Sequence, residues 1–153
     1  MRKSDLPGAK ALATRLRQVF EERIPFNRVL GLRLASIEGE EPRLRFDMRP
    51  ELVGNPARGI LHGGVISSAL DVTGAVAIHL AHLRRHGIDE SVPFPNIGTI
   101  DLRVDYLRPG RGAYFVASGR AVRMGSRIAV AHMELASDAG ELIATGSAAY
   151  VVG

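Results

Sequence analysis

Residues 55–71 read NPARGILHGGVISSALD, a glycine-rich loop that runs directly into a long apolar segment. The periodicity predicts one helix over residues 64–86, which Gly87 would end in the left-handed conformation. Apolar or small residues cover nearly every side of this helix, so we expect it to be buried. Asp71 is the one carboxylate in its middle. Because burial penalises a charged carboxylate, Asp71 needs polar partners or a chemical role.

The composition is typical of one folded domain, with 153 residues and 46% hydrophobic content. The first 20 residues lack the apolar core of a signal peptide, and polar residues interrupt the apolar run of the long helix, so no membrane span is predicted. The absence of cysteine excludes disulfides, thiolate metal sites and thiol nucleophiles, and it agrees with a cytoplasmic location. We predict a single domain over 1–153, with an N-terminal helical extension at 1–26 and a core at 30–152.

The net charge is +4, and only Lys3 and Lys10 are lysines among the 20 basic residues. Arginine suits an anionic ligand because its planar guanidinium matches phosphate geometry. The basic residues are scattered, however, aromatic residues make up only 5% and tryptophan is absent. A nucleic-acid-binding protein more often has a clustered basic stripe with interleaved aromatic residues. Nucleic acid is therefore not an expected partner.

The flanking segments predict a mixed α+β fold. An amphipathic helix is predicted over 9–23, ended by Pro25. The predicted strands are 30–38, 43–48, 99–107, 113–123, 128–136 and 142–152. Short turns predict that the last four strands form an antiparallel meander. A curved antiparallel sheet wrapped around the one long helix would cover the apolar surface of that helix.

Three features together resemble a known family. They are the pattern Asn-x-x-x-Gly-x-x-His-Gly-Gly at 55–64, an aspartate nine residues after the histidine, and the strand DLRVDYLRP at 101–109. They resemble the hotdog-fold acyl-CoA thioesterases, most closely the phenylacetate-pathway (PaaI-type) branch, over roughly 30–152. The resemblance implies a homodimer that pairs two sheets edge to edge, often a dimer of dimers, and an active site shared between two subunits with CoA along the interface.

Thioester hydrolysis requires a stabilised oxyanion and an activated nucleophile. The start of the long helix offers free N–H groups, and we expect the Gly63 amide to bind the oxyanion, unless the glycines only permit a tight turn. Asp71 is the expected general base or nucleophile, unless it is a structural carboxylate bonded to Ser67, Ser68 or a backbone amide. Gly63 and Asp71 lie about 12 Å apart along the helix. One chain therefore cannot bring both to the same thioester.

The resemblance implies further site residues. Asn55 corresponds to a loop asparagine that holds the water or the catalytic carboxylate, although a turn residue before Pro56 is an alternative. His62 would shape the oxyanion loop or contact the thioester. Thr99 corresponds to a hydroxyl position that orients the attacking water, with an ordinary strand residue as the alternative.

The candidate substrate-binding residues are Gly64 for close approach of the thioester, Arg58, Arg123, Ser126 and Arg127 for the CoA phosphates, and Ile66, Leu70, Val72, Ile97 and Leu61 for the acyl chain. Ser126 stands where a basic residue is common in the family. His79, His82 and His86 share a helix face at metal-binding spacing. No carboxylate joins them within the helix, and a cationic histidine near a helix C-terminus is stabilised by the helix dipole without a metal. No metal ion is therefore expected.

These features predict a thioester hydrolase that releases a carboxylic acid and free CoA. A medium- to long-chain fatty acyl-CoA is the expected substrate, with an aryl-acyl-CoA as the other choice. No cofactor is expected, since CoA is part of the substrate, and the expected partners are acyl-CoA and further copies of the chain. The alternatives are a hotdog dehydratase or hydratase acting on 3-hydroxyacyl or enoyl thioesters, and a non-catalytic acyl-CoA-binding domain.

Overall fold

The computed structural model of the protein describes residues 8–92 and 94–153. Its helices are α1 (Ala9–Leu16), α2 (Pro25–Leu30) and α3 (Gly63–His86), with a π-helical turn at Arg17–Glu22 and a 3-10 turn at Pro50–Leu52. Its strands are β1 (Arg33–Glu38), β2 (Glu41–Asp47), β3 (Val53–Asn55), β4 (Ile60–Leu61), β5 (Ile97–Tyr106), β6 (Tyr114–Met124), β7 (Ile128–Ser137) and β8 (Leu142–Val152).

Six of the strands form one antiparallel sheet in the order β1-β2-β6-β7-β8-β5, and β3 pairs with β4 in a separate ribbon. The long helix α3 packs against five strands of the large sheet, namely β2, β5, β6, β7 and β8. Alternate residues of the strands face the helix and bury their apolar side chains, as in β7, where Ala129, Ala131, Met133 and Leu135 are all buried. The predicted α+β architecture, a sheet wrapped around one long helix, is confirmed.

The predicted meander of the last four strands was wrong for its first strand. β6, β7 and β8 are neighbours in sequence order, whereas β5 pairs with β8. The connection after β5 therefore passes β8 and β7 to reach β6 in the middle of the sheet, instead of making a hairpin turn. Gly110 lies on this crossing, and its carbonyl accepts a 3.0 Å hydrogen bond from Leu61 N just before α3. As a result, β5 is an edge strand of the sheet.

The N-terminal segment differs in detail from the prediction. The helix predicted over 9–23 consists of α1 and the π-helical turn that continues it. Pro25 does not simply end that helix, because it is the first residue of α2. The first N–H of a helix makes no intrahelical hydrogen bond, so the missing N–H of proline costs nothing there. The first strand consequently begins at Arg33 and not at residue 30. Asn27 is buried in α2, and its Nδ2 donates a 2.9 Å hydrogen bond to Phe20 O.

The central helix begins one residue before its predicted start and ends as predicted. Gly87 has φ 79° but ψ 176°, so it is not in the predicted left-handed helical conformation. The helix was expected to be buried all round, but within one chain its Ser67, Asp71 and Ala75 face is only half-buried. By length and composition alone α3 could cross a membrane, yet 56% of its most apolar window is buried inside the fold, as in the core helix of a globular domain.

His79 is the most buried of the histidines on α3. Its side chain is 4% exposed and lies beside the Phe20 ring, with 6.0 Å between ring centroids. Neither ring nitrogen has a hydrogen-bond partner among the described residues. Burial, reinforced by the charges of Arg15 and His82, lowers the pKa of His79 to about 4. The imidazole is therefore neutral at pH 7.

This buried neutral histidine predicts a pH-dependent stability. The unfolded chain binds the His79 proton near pH 6.5 and the folded chain only near pH 4, so the free energy of unfolding falls as the pH drops through that window. The loss attributable to His79 is about 3 kcal/mol at most. We expect His79→Leu to reduce the loss and His132→Leu, at an exposed position of β7, to retain it, measured by urea unfolding at pH 7 and pH 4.5. If His79→Leu loses as much free energy of unfolding between pH 7 and pH 4.5 as the wild type, this assignment is contradicted.

Candidate active site

The Asp71 carboxylate lies on the half-buried face of α3 and is held by the sheet. Its Oδ1 accepts a 2.8 Å hydrogen bond from Thr99 Oγ1 on β5. The alternative of a carboxylate bonded to neighbouring serines is not found, since Ser67 and Ser68 both donate to Gly64 O, at 3.1 and 2.7 Å. The structure thus brings two of the expected site residues together from different elements.

A β-bulge in β5 directs Thr99 towards the helix. In the pairing with β8, Thr99 lies opposite Tyr150 and Asp101 opposite Ala149, which leaves Ile100 unpaired. Asp101 supports the irregularity because its Oδ1 accepts a 3.1 Å hydrogen bond from Ala149 N. The extra residue breaks the regular alternation predicted for this strand, so Ile100 is 50% exposed while Thr99 faces α3.

Tyr150 is a site residue that the sequence reasoning missed. It is fully buried, and its hydroxyl donates a 2.8 Å hydrogen bond to the main-chain carbonyl of Asp71. Burial, with the nearby Asp71 carboxylate, raises the pKa of the Tyr150 hydroxyl, so this group remains a donor. The contact requires Gly74, because a Cβ there would overlap the hydroxyl and lie 3.0 Å from Met133 Sδ. An isolated glycine within a helical pattern was the available signal for this packing.

The start of α3 leaves one backbone N–H available. His62 is the N-cap residue, and its Nδ1 accepts a 2.7 Å hydrogen bond from Gly64 N. The Gly64 amide is therefore engaged within the turn. Gly63 is the first helical residue, and its N–H donates no hydrogen bond to any residue of 8–92 or 94–153. Tyr106 Oη donates to Gly63 O at 3.1 Å and fixes this turn against β5.

Asn55 shapes the loop before α3. Its Oδ1 accepts a 3.1 Å hydrogen bond from Ala57 N, and its carbonyl accepts bonds from Arg58 N and Gly59 N at 3.1 and 2.8 Å. These are the contacts of a turn residue, the alternative raised for Asn55. Within the described residues Asn55 makes no hydrogen bond to Asp71.

The candidate CoA-binding residues do not gather within one chain. The Arg58 carbonyl accepts a 2.9 Å hydrogen bond from Arg111 Nη1, near the start of α3. Arg127 O instead accepts from Val152 N at 2.9 Å, in the turn between β6 and β7 that also holds Ser126. These locations adjoin opposite ends of β5, which are about 30 Å apart along the strand. Within one chain these two groups are therefore too far apart to contact the same phosphate.

Two of the residues expected to line the acyl pocket have different environments. Leu70 is fully buried and lies next to Gly146 of β8, so it contributes to the core and not to a pocket. Ile66 is also buried, but it borders a cavity of about 340 Å³ that reaches Gly63 and Tyr106. A second cavity of about 340 Å³ lies at the other end of α3 and includes His82. Among the described residues, no group of three or more His, Asp or Glu side chains can hold a metal ion.

Comparisons with known proteins agree with this architecture. The family model of the thioesterase superfamily matches residues 58–144. The chain is 46% identical over 140 residues to the medium/long-chain acyl-CoA thioesterase YigI of Escherichia coli K12, covering 89% of this chain and 90% of that protein. It superimposes with a TM-score of 0.85 on a crystal structure from Shewanella oneidensis related to the thioesterase superfamily, at 36% identity and covering 96% and 99% of the two chains. A thioesterase family protein from Silicibacter pomeroyi, at 24% identity, a TM-score of 0.75 and coverage of 93% and 99%, shares the fold.

The contact between Gly74 and Tyr150 predicts an unusual response to alanine. In an ordinary helix Gly→Ala stabilises by about 1 kcal/mol. Here we expect Gly74→Ala to lower the free energy of unfolding by about 1–3 kcal/mol, because the new methyl group overlaps the tyrosine hydroxyl. Tyr150→Phe removes that oxygen, so the penalty should shrink in the double variant. Chemical denaturation of all four proteins measures the coupling, and additive effects would contradict the contact.

Proposed function

This chain belongs to the thioesterase superfamily, and we propose that it hydrolyses medium- to long-chain fatty acyl-CoA to a free acid and CoA. The observation that carries the proposal is the Asp71 carboxylate, held by Thr99 on a half-buried helix face. The 46% identical relative is named for this substrate class, and the match extends over most of both chains. The assignment to the PaaI-type branch, with an aryl-acyl substrate, stays a prediction, as does the cytoplasmic location suggested by the cysteine-free sequence.

In the proposed reaction Asp71 acts as general base. The Thr99 hydroxyl donates a hydrogen bond to Asp71, so the lone pairs of its oxygen can accept a hydrogen bond from the attacking water. As the water oxygen bonds to the thioester carbon, Asp71 takes a water proton and the carbonyl oxygen becomes an oxyanion. Collapse of this intermediate breaks the C–S bond and releases the acid. The CoA thiolate leaves and receives the proton from Asp71.

The oxyanion is stabilised by the Gly63 N–H of a second subunit. This amide donates no hydrogen bond within the described chain, and it lies at the positive end of the α3 dipole. Within one chain the amide and Asp71 are about 12 Å apart along the helix, too far to contact one carbonyl group. His62 holds the turn that directs the amide, because its imidazole caps the helix through Gly64 N. Asn55 would reach the partner's carboxylate from the same loop.

The second subunit pairs through β5. This strand is an edge of the sheet, and an unpaired edge is a template for pairing with another chain. Large apolar side chains are exposed on or beside it: Ile100, Tyr106 and Leu107 are 50%, 55% and 49% exposed. A homodimer formed at this edge would cover them. The small residues on the open face of α3 would allow close approach of the partner helix, and two such dimers can associate further into a tetramer.

Release of free thiol from acyl-CoAs tests this function, and the reagent DTNB suits a protein without cysteine. We expect turnover of medium- and long-chain acyl-CoA and a loss of at least about a hundredfold in Asp71→Asn. Gly63→Pro removes the N–H and adds a pyrrolidine ring, which the first helical position accommodates because His62 already has the extended conformation required before proline. It should lower kcat about 10²–10³-fold.

Gly63→Ala is the matched control because it keeps the amide and adds a Cβ at ordinary contact distance, 3.4 Å, from the Tyr106 ring. It should retain most of the activity. Equal losses of activity in the alanine and proline variants would show that the Gly63 N–H does not take part in catalysis. A folded wild-type protein that binds acyl-CoA but hydrolyses none of it would favour the alternative of a non-catalytic acyl-CoA-binding domain.

A further inference from the structure

The cavity at the C-terminal end of α3 is distinct from the candidate active site. Its volume is about 340 Å³, the size of a small-molecule site, and its walls come from α1, α3, the loop after α3 and the paired ends of β5 and β8. Of the residues expected in the active site only Ile97 lines it, and neither Asp71 nor Thr99 does. The proposed hydrolysis therefore leaves this space without a role.

The wall of this cavity holds a buried cation that lacks a counter-ion. Arg15 is 6% exposed, and its guanidinium donates a hydrogen bond to the Val92 carbonyl. Its Nε is buried and has no hydrogen-bond partner among the described residues, and none of their carboxylates forms a salt bridge with it. Because a buried charge is costly without an opposite charge, this position favours an anion.

Asp89 does not take the place of that anion. Its carboxylate is close enough to interact electrostatically with Arg15, but it is exposed to solvent. Its Oδ1 accepts hydrogen bonds from Ser91 N and Ser91 Oγ, at 2.9 and 2.6 Å. The carboxylate is thus held within its own loop, outside salt-bridge distance of the guanidinium.

Further hydrogen-bonding groups surround the same space. His79 is 4% exposed, and neither of its ring nitrogens has a partner among the described residues. Its imidazole is neutral at pH 7, so one of these nitrogens carries a proton that it can donate. His82, His86 and Asn96 also line the cavity. Among the described residues of the lining, Asp89 carries the only side-chain carboxylate.

The remaining walls are apolar and limit the kind of anion that fits. They are formed by Ile78, Leu83, Pro95, Ile97 and Val152. A phosphate dianion would place two charges beside one buried cation and bury no apolar surface of its own. A carboxylate carries a single charge, its two oxygens match the planar guanidinium, and an organic body attached to it can cover the apolar walls.

We propose that this cavity binds a small organic monocarboxylate, whose charged group lies against Arg15 and whose apolar body lies between Ile78 and Val152. The ligand supplies the counter-ion that Arg15 lacks, and burial of its apolar body adds to the affinity. Because Arg15 belongs to α1, the site exists only while the N-terminal helix is packed on α3. This site is separate from the proposed thioester hydrolysis and does not depend on it.

Benzoate is a suitable probe, and benzamide is an uncharged control of nearly the same shape. Each would be titrated into the ¹⁵N-labelled protein and followed by the shifts of its backbone amides. We expect benzoate to bind at least about tenfold more tightly than benzamide, because only benzoate makes charge-assisted hydrogen bonds to the guanidinium. The largest shifts should fall in residues 78–92 and 96–97.

Two variants test the two halves of the site. Arg15→Met keeps an apolar stem of similar length and removes the charge, so it should weaken benzoate binding at least about tenfold and abolish the preference over benzamide. Arg17→Met, at an exposed position of the same helical segment, is the matched control and should bind as the wild type does. Val152→Phe narrows the apolar part, should weaken both probes, and serves if Arg15→Met does not fold.

Several results would overturn the inference. They are equal affinities for benzoate and benzamide, unchanged benzoate affinity in a folded Arg15→Met, and no binding of benzoate at about 10 mM. Inorganic phosphate bound as tightly as benzoate would contradict the role of the apolar walls. Shifts centred on Gly63 and Asp71 would place benzoate in the active site instead. None of these results bears on the thioester hydrolysis, which the thiol-release assay tests separately.

Discussion

One buried hydrogen bond, from the Tyr150 hydroxyl to the main-chain carbonyl of Asp71, joins α3 to the sheet at the residue that carries the candidate catalytic carboxylate. A tyrosine can reach the helix backbone there only because Gly74 has no side chain. The bond fixes both the rotation and the height of the helix at the residue that carries the carboxylate. Thr99, which lies opposite Tyr150 in the sheet, then meets that carboxylate at 2.8 Å. The packing of α3 against the sheet and the placement of the Asp71 carboxylate thus depend on the same residues.

The second constraint is the length of the helix between its two functional positions. The free amide at Gly63 and the carboxylate of Asp71 are about 12 Å apart, so one rigid helix cannot bring both to the same thioester carbonyl group. Association of two chains through the open sheet edge at β5 and the half-buried helix face would bring the amide of one chain to the carboxylate of the other. In the proposed reaction the carboxylate and the oxyanion donor therefore come from two chains of a dimer.

The sequence predicted those parts of the fold that depend on local patterns. The apolar run from residue 64 to 86 and the alternation of the strands gave a sheet around one helix, and both the architecture and the family are confirmed. Strand order was harder to predict, because the short connection after β5, which contains Pro109, has the same sequence features whether it makes a hairpin or passes two strands to reach β6. The bulge at Ile100 was hidden for a similar reason, since Asp101 supports it through a contact with a strand about 50 residues away. Tyr150 looks like any buried strand residue in the sequence, because only the folded structure places it against Gly74.

Complementation between two inactive variants tests the shared site most directly. Gly63→Pro and Asp71→Asn subunits, each inactive as a homodimer, would be co-expressed with different tags and the mixed dimer purified. The account predicts that thioesterase activity returns in the mixed dimer, because one of its two sites combines the intact Gly63 of one subunit with the intact Asp71 of the other. A mixed dimer as inactive as its parents would contradict a site built from two chains.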